Sequence, residues 1–228
     1  MTTNQKNKCQ VNFLGTRDYQ EIYQLQKELV SRRTAGEIED QLLIVEHPPV
    51  FTIGKSGGED NILVSEEELE EKGIEVYEIN RGGNITYHGP GQIVVYPIFD
   101  LNQYKKDLHW YLRQLEEVVI QLLAKYDIKA GRKKGLTGVW VGEEKIAAIG
   151  VAAKRWVTYH GVSFNYDLNL DHFDLIHPCG IEDKGIASLE ELLSFLPTKE
   201  ELHHSFIESF AQVFGFGVQL REVKKDES

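Results

Sequence analysis

Twelve residues constrain this chain more than any others: Arg81-Gly82-Gly83-Asn84-Ile85-Thr86-Tyr87-His88-Gly89-Pro90-Gly91-Gln92. Four glycines and a proline in that span interrupt any helix or regular strand. β-type runs flank it, residues 74–79 before and 93–99 after. A polar, glycine-dense loop between two buried strands lets backbone N–H groups approach a ligand. It also presents Arg81, Tyr87 and His88 from a fixed scaffold. A glycine-rich hairpin with no ligand carries the same signature. The pattern is neither a G-x-x-x-x-G-K-[ST] phosphate loop nor a G-x-G-x-x-G dinucleotide fingerprint.

A chain of 228 residues is compatible with one domain, and 41% hydrophobic content supplies a core. One catalytic domain over residues 1–228 is therefore expected, with tails at about 1–10 and 221–228. The formal net charge of −11 argues against nucleic acid as a partner, since backbone binding needs clustered positive potential. Two cysteines, Cys9 and Cys179, are too few for a disulfide framework or a four-cysteine zinc site. Residues 1–6 are polar with no apolar stretch behind them, and no run approaches a bilayer span. The expectation is a reduced, soluble, cytoplasmic protein with no membrane partner, in which any important cysteine is a free thiol.

The hydrophobic pattern predicts a strand at 11–14, a helix from Tyr19 to near Gly36, and strands at 42–46 and 50–53. His47, between the latter two beside Pro48-Pro49, reads as a turn residue. Ser65 opens a short acidic helix that Gly73 stops. A long helix over 108–126 buries Leu108, Tyr111, Leu112, Leu115, Val119, Leu122 and Leu123. The basic run 129–134 reads as a solvated turn or as a docking point for an acidic partner. Strands follow at 138–141, 145–151 and 156–165, the first two joined by a three-residue loop and the last broken by Gly161. Two helices, near 189–196 and from Leu202, close the chain. Strands in runs with helices between them predict an α+β fold with a mixed sheet.

Cys179 lies in Ile176-His177-Pro178-Cys179-Gly180, and the proline and glycine place its thiol on a sharp turn. Buried, it would be an inert core thiol; exposed, it is a nucleophile needing help to ionise. His177 is one candidate helper. Lys145, opening the apolar stretch Ile146-Ala147-Ala148-Ile149-Gly150, is the other, because an ammonium in poorly hydrated surroundings lowers a neighbouring thiol's pKa. His88, His160, His177 and Cys179 match no zinc spacing, so no metal is expected. His88 and His160 each adjoin a glycine and could share a pocket. Composition and spacing support no more than an α+β domain with a ligand loop and a candidate cysteine nucleophile.

Taken together, several motifs resemble those of the lipoyl(octanoyl) transferases of lipoate biosynthesis. They are the 81–92 segment, Gly138-Val139-Trp140, Lys145-Ile146-Ala147-Ala148-Ile149-Gly150, His160-Gly161 and Pro178-Cys179-Gly180, in the family's order and spacing. The upstream stretch 46–54 matches as well, and the similarity runs from about residue 11 to 215. Where the family most often reads HG-x-A-L-N, this chain has His160-Gly161-Val162-Ser163-Phe164-Asn165.

The resemblance implies a biotin/lipoate protein ligase-like fold and octanoyl transfer from octanoyl-acyl carrier protein. The acceptors would be lipoyl domains of 2-oxoacid dehydrogenases and glycine cleavage H protein, and no cofactor is needed. It makes Cys179 the nucleophile and Lys145 its activator. Substrate-binding residues would be Arg81, Gly82, Gly83, Asn84, Ile85, Thr86, Tyr87 and His88, then Ala148, Ile149 and Gly150, then Gly161, Val162 and Ser163. Ile85, Val162 and Phe164 would wall an acyl tunnel. Two alternatives share these features: an ATP-dependent lipoate or biotin protein ligase, and a non-catalytic module that holds a carrier domain. The ligase route also uses a strand lysine but has no need of a thiol.

Overall fold

The structure is a computed structural model that describes residues 7–177 and 185–220. Its elements are β1 (Lys8–Thr16), α1 (Tyr19–Thr34), β2 (Asp40–Glu46), β3 (Val50–Ile53), α2 (Glu66–Glu71), β4 (Glu75–Glu78), β5 (Ile85–His88) and β6 (Gln92–Ile98). They continue with α3 (Leu108–Ala124), β7 (Gly131–Lys133), β8 (Leu136–Val141), β9 (Glu144–Lys154), β10 (Val157–Asn165), α4 (Leu189–Leu192), α5 (Lys199–Phe214) and β11 (Gly217–Leu220). A large mixed sheet runs in the order β11-β1-β2-β6-β10-β9-β8-β7, and a small one in the order β4-β3-β5. β1 is parallel to β11 and β2, whereas β2, β6, β10, β9, β8 and β7 are successively antiparallel. This is the expected α+β arrangement.

Period-two alternation assigns the faces of the large sheet. Leu42, Ile44, Ile93, Val95, Val162 and Phe164 join one core with Leu115, Val119 and Leu122 of α3 and Phe206 and Phe210 of α5. Leu43, Val45, Val94 and Tyr96 point the other way, against Ile22, Leu29 and Val30 of α1. Each long helix starts at a polar cap. Asp18 accepts from Glu21 N at 2.9 Å, Asp107 accepts from Trp110 N at 3.0 Å, and Thr198 and Glu201 form a reciprocal capping box. Gly215 ends α5 at φ +71°, a left-handed conformation that suits glycine.

The small sheet has its own core of Phe51, Ile53, Ile85 and Tyr87, covered by Leu69 of α2 and by Leu168 and Ile176. Its opposite face looks toward the uncovered part of the large sheet beyond α1. Tyr19, the first residue of α1, ties the two together by packing with Val50 and Ile79.

Several local expectations change. β1 begins at Lys8, ahead of the expected 11–14, because β11 and β2 pair with it from both sides. The glycine-rich span is not one loop: β5 lies inside it, paired with β3 from Val50↔His88 to Ile53↔Ile85. His47 lies in the break between β2 and β3, where a turn residue is expected, and is buried there. Leu108 is 36% exposed, one turn before the buried stripe of α3 begins at Tyr111. The loop between β8 and β9 is a two-residue turn, since Val141 pairs with Glu144. β10 is continuous through Gly161, and α4 is only one turn long. The basic run contains the edge strand β7, and two of its four cations pair within the protein: Arg132 bonds Glu116 and Glu117 at 2.9 and 2.8 Å, and Lys133 pairs with Glu143.

Candidate functional site

The glycines of the central segment permit close backbone approaches. Gly82 N donates to Val151 O at 3.0 Å, docking the turn at residues 81–84 onto β9. A Cβ on Gly150 would stand 2.9 Å from Arg81 Cδ and 3.0 Å from Gly82 O. On Gly54 it would meet Gly83 O at 2.4 Å. The second turn, Gly89-Pro90-Gly91, is pinned from elsewhere. Gly91 N donates to Glu46 Oε2 at 3.0 Å, Glu46 pairs with Lys199 of α5 at 2.8 Å, and Gly91 O accepts from Tyr166 N and Asp167 N.

Between the two sheets this packing leaves a cavity of about 300 Å³. Its large-sheet wall comes from neighbouring strands in register: Ala148↔Ser163, Ile149↔Val162 and Gly150↔Gly161. Arg81, Gly82, Gly83, Asn84, Ile85, Thr86 and His88 line the opposite side, and Lys145 lines it as well. Tyr87 is set apart from these. Alternation along β5 sends it into the small sheet's core against Phe51 and Phe173. Phe164 is also outside the lining, packed against Phe206 at 5.4 Å, and the Val162 side chain points into that same core. The departure from the family motif therefore reaches the cavity at Ser163 and not at Phe164.

Other lining residues come from dispersed places: Tyr19, Val94, Tyr96, Leu136, Thr137, Asn165, Phe173 and Ile186. Tyr19 carries only a helix-start signal in the sequence, and Val94 and Tyr96 only a strand signal. Their proximity to the glycine segment is tertiary.

The floor is a directed hydrogen-bond network. Asn165 Nδ2 donates to Ala187 O at 3.0 Å, leaving its Oδ1 to accept from Gln92 Nε2 at 2.9 Å. Gln92 Oε1 then accepts from His88 Nδ1 at 2.7 Å, which leaves His88 Nε2 as the unprotonated nitrogen, 3.5 Å from Thr52 Oγ1. Arg81 Nη2 donates to that same hydroxyl at 2.9 Å and to Thr52 O at 2.6 Å. Burial, with His47 and Arg81 nearby, lowers the His88 pKa to about 3. Burial lowers His160 to about 3 and His47 to about 4. All three imidazoles are neutral at pH 7.

His160 and His88 both line the cavity. His160 sits at φ +56°, an uncommon left-handed conformation for a non-glycine residue. Its N–H donates to buried Gln26 Oε1 at 2.7 Å and its Nε2 donates to Asn80 Oδ1 at 3.1 Å. His47 is held between Arg17 O at 2.8 Å and the Tyr96 hydroxyl at 2.9 Å.

Lys145 opens β9. Its N–H donates to Gly185 O, and its own carbonyl accepts from Ala187 N. Cys179 lies outside the described residues. The flanks of its segment are described: His177 N donates to Asn61 O at 2.8 Å beside the small sheet, and Gly185 abuts Lys145. Cys9, by contrast, is fully buried in the main core, and burial pushes its thiol pKa up. Among the described residues no three His, Cys, Asp or Glu side chains gather as a metal site.

A family model described as the lipoyl protein ligase A/B catalytic domain matches residues 18–211. The chain belongs to that family. A relative from Caldicellulosiruptor saccharolyticus, named octanoyltransferase, is 47% identical over 96% of this chain and 94% of its own length. At the level of fold, the chain is similar to a bipartite lipoate protein ligase from Thermoplasma acidophilum solved with its E2 lipoyl domain. The TM-score is 0.76 at 16% identity, covering 97% of this chain and 89% of that one. A biotin protein ligase from Aquifex aeolicus, with biotin and ATP, superposes with a TM-score of 0.55 at 10% identity, covering 90% and 70%. The α+β fold of the lipoyl protein ligase A/B family is thus the expected biotin/lipoate ligase-like one.

Proposed function

We propose that this chain is an octanoyltransferase that moves an octanoyl group from octanoyl-acyl carrier protein to a lysine on lipoyl domains or glycine cleavage H protein. It does so as one catalytic domain in the cytoplasm, through a thioester on Cys179. The observation that carries the reading is Lys145 on the wall of a cavity of about 300 Å³, beside the flank of the Cys179 segment. A volume of that size suits a small acyl group. Burying the seven carbons beyond the octanoyl carbonyl against apolar lining such as Leu136 and Ala148 yields about 6 kcal/mol at ~0.8 kcal/mol per methylene.

The Cys179 thiolate attacks the carrier thioester carbonyl, the pantetheine sulfur leaves and takes a proton from the Lys145 ammonium, and an octanoyl-thioester enzyme beside a neutral Lys145 remains. Lys145 stabilises the thiolate by charge. In the second half, the incoming lysine amine attacks the acyl carbon and the Cys179 thiolate departs. Neutral Lys145 accepts the amine's proton, returning to the ammonium that holds the thiolate. A thioester becomes an amide, which is downhill and requires no ATP. His88, neutral with Nε2 unprotonated, does not compete as a cation.

Intact-protein mass spectrometry after mixing with octanoyl-acyl carrier protein, without ATP, tests this. The expected result is a single octanoyl adduct on Cys179 that disappears when apo lipoyl domain is added. Modification of the domain only with ATP and free octanoate, and no adduct, would replace the transferase by a ligase. Cys179→Ala is expected to abolish transfer while leaving the thermal melt unchanged.

A further inference from the structure

The buried face of α3 carries one residue that packing does not explain. Glu116 is fully buried on α3, where Leu115, Val118 and Val119 are buried as well. A carboxylate there costs stability unless it is fully bonded. Its Oε2 accepts from Arg113 Nη1 at 2.6 Å and Arg132 Nε at 2.9 Å. Its other oxygen, Oε1, accepts from the backbone N–H of Gly138 at 3.3 Å.

Gly138 is where Lys145 rests. It has φ +125°, and a Cβ there would stand 3.4 Å from Lys145 Cε, 3.5 Å from Lys145 Cδ and 2.6 Å from Ala147 O. The register between β8 and β9 slips at this point, from Val139↔Ala147 to Trp140↔Lys145, so Ile146 is an extra residue in β9. Such a bulge re-aims the side chain beside it. The Lys145 stem lies over the bare Cα of Gly138, and its Nζ stands 4.9 Å from the centre of the Trp140 ring.

We infer that Glu116 is a positioning residue for Lys145, acting from outside the cavity through the Gly138 backbone. Fixing that one N–H sets the height of the glycine against the lysine stem, and so the place of the ammonium on the cavity wall. The ion pairs with Arg113 and Arg132 hold the carboxylate in line for this bond. The inference rests on the proposed role of Lys145 toward Cys179.

The test is the pH profile of Cys179 alkylation by iodoacetamide in the intact protein, beside kcat and KM for octanoyl-acyl carrier protein. Glu116→Ala is expected to slow alkylation at pH 7 by about threefold or more, in the direction of Lys145→Ala, because less thiolate is present. kcat falls with it while KM stays nearly constant. Glu116→Gln, which keeps an oxygen for Gly138, restores most of the profile. Arg132→Gln, which leaves Arg113 to hold the carboxylate in line, lowers thermal stability with little change in the profile. Gly138→Ala, which displaces the stem directly, gives a second reading should Glu116→Ala fail to fold. A folded Glu116→Ala or Gly138→Ala protein with the wild-type profile overturns the inference while Lys145→Ala still shifts it. A wild-type profile in Lys145→Ala instead removes the lysine's role, and the inference with it.

Discussion

At the scale of single residues, the site depends on places where a side chain is missing as much as on those that carry chemistry. Gly150 is such a place, because Arg81 Cδ and Gly82 O occupy the space a methyl group would need. Gly150→Ala is expected to displace the turn at residues 81–84, lowering stability by about 1–3 kcal/mol. A loss of kcat/KM on the order of tenfold should accompany it, as transition-state contacts worth about 1.4 kcal/mol go. Steady-state kinetics beside a thermal melt would separate the two effects, and wild-type kinetics would contradict this account of the loop. Arg81, Gly82, Gly83 and His88, which the resemblance names as substrate-binding, line one cavity, because residues of one short segment stay together. It did not distinguish Tyr87, since the direction of a strand side chain depends on which strand pairs with it.

At the scale of elements, α5 does more than close the core. Its first residue, Lys199, holds the Glu46 carboxylate that in turn holds Gly91 N. Glu46→Ala is therefore expected to cost about 1 kcal/mol in urea unfolding. It should also speed amide exchange at Gly91 far more than in the middle of β6. Equal protection of Gly91 in the variant would show that the turn holds itself. The edge strand β7 gives a second expectation. Arg132→Glu leaves the buried Glu116 carboxylate facing a like charge, and breaking such a pair costs roughly 3–5 kcal/mol. A large drop in melting temperature is the expected outcome. A stable variant that only binds carrier more weakly would instead support the docking reading of the basic run.

At the scale of the whole molecule, the two sheets and α1 enclose three histidines held neutral by burial. In an unfolded chain each protonates near pH 6.5, whereas here His47 does so near 4, and His88 and His160 near 3. The unfolded state therefore binds more protons as pH falls below 6.5, and stability declines in that direction. By pH 5 the loss is roughly 2 kcal/mol for each histidine, a large share of a typical domain's stability. Urea midpoints should fall steeply between pH 6.5 and 5, and NMR titration should show no protonation of these imidazoles in the folded protein above pH 5. Free titration near 6.5 would mean that the cavity floor is open to water. Most elements, their caps and the two-faced alternation of β2 and β6 were decided by the sequence itself, because local periodicity and turn chemistry are local properties. The strand inside the glycine segment, the burial of His47, the internal pairing of the basic run and the descent of Glu116 onto Gly138 were decided only by tertiary structure. Each depends on a partner far along the chain, and no local pattern records which distant element will arrive there.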